Sequence, residues 1–194
     1  MGRTATFESA QAVRAARDLF WDRGFEAASI ADLERATGLN RSSLYHAFGS
    51  KRGLFDAAVA DYLETVVRPR LLVLRDGAGT SGLLAYVDGL RLAIETLPAD
   101  SPRRGCLLVN CAAGLAGHDD AARAVVDAYR AELTAALRQA LAAASDDDDD
   151  ARLGAHARTL AAASMSAMLL ARVNPGAAAA VLGDAREQIL AWSR

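Results

Sequence analysis

Apolar side chains recur at helical spacing along almost the whole chain. Leu83, Val87, Leu90, Ile94 and Leu97 fall on one face of a 3.6-residue helix, as do Ala122, Val126, Tyr129, Leu133 and Leu137. Stripes of this period must be buried against neighbours of the same kind. Composition closes off the alternative: 45 of the 194 residues are Ala, whereas Val, Ile and Thr together number 22 and aromatics make up 6%. A large sheet lacks its usual building material, so the fold is expected to be all-α.

Glycine, proline and short polar caps cut these stripes into helices. The first runs from Glu8 through Val13, Ala16, Leu19 and Phe20 to a stop at Gly24. Ser29-Ile30-Ala31-Asp32 has the capping-box pattern and opens a short second helix, with Ile30 and Leu33 inward and Gly38 as its end. Asn40 is a strong N-cap for a third, at about 41–47, and Leu39 and Leu44 stand where a hydrophobic staple would hold its start. Ser50 caps a fourth, carrying Phe55, Val59, Tyr62 and Val66, which Pro69 should end or kink. Two final helices, about 151–172 and one bearing Val181, Ala185, Ile189 and Trp192, flank Asn174-Pro175-Gly176. The run Asp146 to Asp150 reads as a solvated loop whose last members favour the next helix start.

Charge gives only a mild lead. The chain carries −2 overall, split as +2 over residues 1–53 and −4 beyond. The longest charge-free run of interest, Thr159 to Ala171, falls short of the roughly 20 residues of a membrane span, and no leader pattern precedes the first helix. A soluble cytoplasmic protein without a membrane partner is expected. Cys106 and Cys111 are too few for a disulfide framework, and the three histidines are scattered at 46, 118 and 156. No metal or cofactor is expected.

The second and third helices, joined by a tight Thr37-Gly38-Leu39 turn, form a helix-turn-helix pattern whose later helix would enter the major groove. Ser42 and His46 lie about 200° around the wheel from Leu44, so burying Leu44 and Phe48 turns them outward, with Arg41, Tyr45 and Ser43 alongside. Guanidinium, hydroxyl and imidazole groups on one face suit contacts to base edges and phosphates.

Ala16-Arg17-Asp18-Leu19-Phe20, Arg23-Gly24-Phe25, Ser29 to Leu33, Ala36 to Leu39 and Ser43 to Lys51 occur in that order and spacing. From about Phe7 to Tyr62 the chain thereby resembles the TetR family of bacterial transcriptional regulators. The resemblance implies a helix-turn-helix domain over 1–66, including the start of the connecting helix, and a helical regulatory domain over 67–194. It also implies a double-stranded, palindromic operator, a phosphate contact at Ser29, groove contacts from Arg41, Ser42, Ser43, Tyr45 and His46, and a backbone phosphate at Lys51. Asn40, at the start of the reading helix, is grouped with these. Lys51 is the only lysine of the chain. Gly53 departs from the family, where a capping side chain is common, and is expected to weaken the Ser50 box.

The resemblance further implies a homodimer through the last two helices, where small residues from Ala161 to Ala167 allow close approach, and a small-molecule effector in a helical cavity. Tyr62, Tyr86, Cys106, Asn110, Tyr129 and Met165 are its expected lining, mostly apolar with a few polar groups. The expected function is a repressor released by that effector. Gly105 to Asn110 resembles a stretch in a subset of the family where a cysteine senses oxidants or electrophiles. Arg103 and Arg104 and a helix start would lower the Cys106 thiol pKa, which gives a redox or electrophile sensor as the alternative. An enzyme is the remaining reading. Gly77-Ala78-Gly79-Thr80-Ser81-Gly82 satisfies GxGxxG after the apolar Leu71 to Leu74, but a dinucleotide fold needs strands on both sides of it.

Overall fold

In a computed structural model of the protein, the described residues are 2–76, 79–98, 100–144 and 149–193. They contain helices and turns and no strand. The elements are α1 (Gly2–Ala27), α2 (Ile30–Thr37), α3 (Arg41–Phe48), α4 (Lys51–Tyr62), a π-helical stretch (Leu63–Val67), α5 (Arg68–Asp76), α6 (Thr80–Thr96), α7 (Leu107–Ala113), a 3₁₀ turn (Leu115–Gly117), α8 (Asp120–Ala142), α9 (Asp150–Leu170) and α10 (Pro175–Trp192). None of the described helices is long and apolar enough to cross a membrane.

Local chemistry explains the first four helices. Gly24 takes φ 77° and breaks the regular turn of α1, a conformation that costs glycine nothing; a further turn then runs to Ala27. At α2, the Ser29 hydroxyl accepts from the Asp32 N–H at 3.1 Å while the Ser29 N–H donates to Asp32 Oδ2 at 3.1 Å. The box satisfies donors that the helix cannot. The Asn40 side chain accepts from the Ser43 N–H at 2.9 Å, starting α3 where the sequence places it.

One expectation holds in part and another needs correction. Gly53 has no side chain to return a bond to the Ser50 N–H, so the box is halved as expected, but the start of α4 holds: Ser50 Oγ accepts from the Gly53 N–H at 3.0 Å, and a Cβ at this position would overlap the Phe48 carbonyl oxygen. Glycine here lets the end of α3 press against the first turn of α4. Pro69 does not end the connecting helix. The chain stays helical from Lys51 to Asp76 because the preceding turns widen, with the Arg68 N–H donating to the Leu63 carbonyl. A π segment just ahead of proline absorbs the hydrogen bond that the ring cannot make. The 1–66 boundary thus falls inside a continuous rod.

Core packing links the two ends. Phe20, Phe25 and Phe55 form an aromatic cluster with centroids 5.1–6.1 Å apart, closing α1 onto α4. Above it, α6, α8, α9 and α10 bury Leu83, Val87, Leu133, Leu137, Leu160 and Leu182. Asn174 and Pro175, expected between helices, instead open α10: the Asn174 side chain accepts from the Ala177 N–H at 3.0 Å and proline occupies the first turn, where its missing N–H is not needed. The intrachain core takes Ala178, Leu182, Ala185 and Ile189 of α10, leaving Val181 and Trp192 half-buried.

The nucleotide fingerprint fails on its flank, because Leu71 to Leu74 lie in α5 and α6 follows. Gly77 and Ala78 of that motif, like Asp146 to Asp148 of the acidic run, lie outside the described residues.

Candidate nucleic-acid interface and regulatory cavity

The helix-turn-helix is a rigid presenter of α3. Leu44 is buried while Arg41, Ser42, Tyr45 and His46 are exposed and Ser43 is half-buried. The Arg41 guanidinium lies over the Tyr45 ring, 5.5 Å from its centroid, an arrangement that holds both side chains upright. Glu34 of α2 accepts from the Arg41 N–H at 2.6 Å, tying the two helices at the turn. Asn40 caps α3.

Ser29 and Lys51 flank this face. The Ser29 hydroxyl is engaged on both sides, since it also donates to Asp32 Oδ2 at 2.6 Å. Those bonds, with Arg23 and Arg35 nearby, hold the Asp32 carboxyl below its ordinary range. Lys51 Nζ sits 3.5 Å from the Glu26 carbonyl and 4.5 Å above the Phe25 ring. Partial burial lowers its pKa, and the ammonium rests against the end of α1 from the first residue of α4.

A small cavity of about 20 Å³ lies among α4, α5, α6, α8 and α9. Of the expected lining it gathers Tyr62, Tyr86, Cys106 and Tyr129. Asn110 and Met165 are elsewhere. Asn110 points the other way from α7 and donates to the Trp21 carbonyl at 3.2 Å. From α9 the cavity takes Ser164 and Met168; these lie four residues apart and share a face, whereas Met165 is rotated by about 100°. Sequence reasoning missed Val67, Arg70, Leu71, Leu90, Ser164 and Met168, of which Arg70 carries a charge. Its signal was a charge inside the apolar stripe of Tyr62, Val67, Leu71 and Leu74.

The two arginines that precede Cys106 are engaged elsewhere. The Arg103 guanidinium bonds Asp18 at 2.7 Å, and Arg104 donates to the carbonyls of Pro98 and Leu97 at 2.8 Å each. The sulfur itself is buried and accepts from the Tyr62 hydroxyl at 3.3 Å.

Between cavity and reading domain the contacts are dense. The Trp21 indole packs edge-on to Tyr62, with centroids 4.8 Å apart, and donates to the Arg104 carbonyl at 3.1 Å. Arg172 at the end of α9 donates to the carbonyls of Trp21 and Asp22 at 3.0 and 2.6 Å. Buried Arg17 bonds Asp61 at 2.8 Å and Thr65 at 3.1 Å, and Arg52 pairs with Asp119.

Comparison with known proteins agrees with this geometry. The family model for bacterial regulatory proteins of the tetR family matches residues 12–58. The HTH-type transcriptional repressor BdcR of Escherichia coli (strain K12) is 35% identical over 128 residues, 66% of this chain and 62% of that protein. The HTH-type transcriptional repressor ComR of the same organism is 43% identical over 111 residues, 56% of this chain and 51% of that protein. The chain thus aligns with about half to three fifths of these curated relatives' lengths. Among solved structures, a cysteine-substituted TetR family transcriptional regulator CifR, complexed with 26-base-pair operator DNA, is similar with a TM-score of 0.75 and 31% identity. That likeness covers 92% of this chain and 94% of the other. With the reading domain matched by the family model and the whole architecture shared with a regulator of that kind, this chain belongs to the TetR family of bacterial regulatory proteins.

Proposed function

We propose that the protein is a cytoplasmic, homodimeric repressor that reads a palindromic operator through α3 and releases it when a small molecule occupies the cavity. The observation that carries the DNA reading is the exposed face of Arg41, Ser42, Tyr45 and His46 on a helix capped at both ends. Ser43, half-buried beside them, is kept with the groove contacts, and Ser29 and Lys51 are assigned to backbone phosphates, which fix register without reading sequence. The names of BdcR and ComR as repressors and the operator DNA bound to CifR support this assignment.

Dimerisation is assigned to α9 and α10, whose half-buried Ala163, Val181 and Trp192 remain for a partner once the intrachain core is filled. One short helix reads few base pairs, and two half-sites one turn apart multiply specificity. The reading domain is taken as 1–66 and the regulatory domain as 67–194. Tyr62 forms a wall of the cavity on one side and meets Trp21 on the other. An occupant that displaces Tyr62 therefore shifts α1 and the spacing of the two reading helices. It must bind the released state more tightly to do so.

The test is a mobility-shift titration on selected operator DNA with sedimentation of the free protein. A dimer that binds one palindrome, and a metabolite fraction that lowers its affinity in the wild type but not in Tyr62→Trp, support the reading. A monomer, or equal affinity for scrambled DNA, refutes it.

A further inference from the structure

We propose that the effector is a monoanion, a carboxylate on an apolar body, and that Arg70 selects it. This rests on the cavity being the effector site.

Arg70 is set into the apolar stripe of α5 and lines both the inner cavity and a neighbouring chamber of about 10 Å³ bounded by Ile94, Leu97 and Gly105. Its guanidinium makes no hydrogen bond or ion pair with any described residue. Other arginines around the same helices are held: Arg68 by Glu64, Arg91 by Glu95, Arg103 by Asp18. A half-buried charge without a counterion is unfavourable in an apolar wall, and an anionic ligand would supply the counterion.

The rest of the lining agrees in sign. It contains no Asp or Glu. Burial pushes the hydroxyls of Tyr62, Tyr86 and Tyr129 up in pKa, that of Tyr86 to about 12, and the charge of Arg70 draws each down in part. All three therefore remain O–H donors at neutral pH. The Tyr62 hydroxyl is donated to the Cys106 sulfur, a weak acceptor that a carboxylate oxygen readily displaces. One guanidinium with phenol donors and no acid is complementary to a single carboxylate. Leu71, Leu90 and Ile94 offer the apolar body a surface.

Space comes from the partition. Arg70 and Met168 line both chambers, and both are long, unbranched side chains. At about 20 and 10 Å³ each chamber is no larger than a water, so an acid with an apolar body needs Met168 to move aside while Arg70 stays to meet its carboxylate.

The experiment is calorimetry of the full-length protein, without DNA, with two matched pairs of probes: benzoate and benzamide, hexanoate and hexanamide. The wild type should bind each acid about tenfold or more tightly than its amide, the magnitude of a charged hydrogen bond. Arg70→Gln should bind acid and amide alike, Arg70→Lys should keep most of the preference, and Arg75→Gln, an exposed arginine of the same helix, should keep all of it. An undiminished preference in Arg70→Gln overturns the assignment. Amide binding that Met168→Trp abolishes, with no preference for the acid, overturns the anion and leaves the cavity standing. An Arg70-dependent preference for acids that never releases DNA keeps the ligand class and overturns the effector reading instead. Binding of none of the four overturns both.

Discussion

The indole of Trp21 stands edge-on to the ring of Tyr62, 4.8 Å between centroids, at the junction between the reading domain and the helices around the cavity. Both side chains are buried, and the indole N–H ends on the Arg104 carbonyl. Trp21→Phe keeps an aromatic contact and loses that hydrogen bond, so it should cost about 1 kcal/mol. Trp21→Ala should cost roughly 3–5 kcal/mol by emptying the site. Urea denaturation monitored by circular dichroism measures both, and a neutral Trp21→Phe would show that the junction does not depend on this bond.

Gly53 sets two effects against each other. Replacing a helical glycine with alanine ordinarily gains about 1 kcal/mol. Here the added methyl would overlap the Phe48 carbonyl oxygen, and overpacking costs roughly 1–3 kcal/mol. The overlap should win, so Gly53→Ala is expected to lower the melting temperature and, by moving α3 against α4, to weaken DNA binding. A raised melting temperature would contradict the close approach.

The Asp32 carboxyl titrates below its ordinary range because Ser29 donates to it twice and Arg23 and Arg35 stand nearby. A carboxyl whose folded pKa is depressed contributes stability above its unfolded value, and that contribution is lost as pH falls through the folded value. Asp119, bonded by Arg52 and the Ala122 N–H, and Asp149, bonded by the first turn of α9, behave alike. Stability should therefore be level at neutral pH and decline below about pH 4. Ser29→Ala should shallow that decline, as followed by denaturant midpoints across the acid range.

Both thiols are buried, and burial raises the pKa of Cys111. In the folded protein each should react with a disulfide reagent far more slowly than in urea, where both should react at the rate of an exposed thiol. Rapid stoichiometric labelling of the native protein would revive the sensing role of Cys106.

Much of the reading domain was legible in the sequence because its elements are specified locally. Ser29, Asn40, Ser50 and Gly38 each announce a helix boundary within four residues of the group they satisfy. The exposed face of α3 followed from the placement of Leu44. The cavity was legible only in part, because lining depends on which way each helix is turned against several others. Tyr62, Tyr86 and Tyr129 sit on buried stripes and came together, whereas Asn110 and Met165 miss by a rotation no local pattern records. Pro69 misled for a related reason: the π segment before it, in which the Arg68 N–H reaches the Leu63 carbonyl, leaves no pattern in the residues around the proline.

The central claim is that α3 reads DNA while Lys51 only grips it. Selection from random duplexes, followed by anisotropy titrations over a range of salt, tests it with the wild type, Lys51→Ala and His46→Ala. The wild type should enrich a palindrome whose half-sites lie about one helical turn apart. Lys51→Ala should weaken binding to every sequence and lower the salt slope by about one, and His46→Ala should change which bases are enriched. An unchanged preference in His46→Ala, or no enrichment at all by the wild type, would contradict the account.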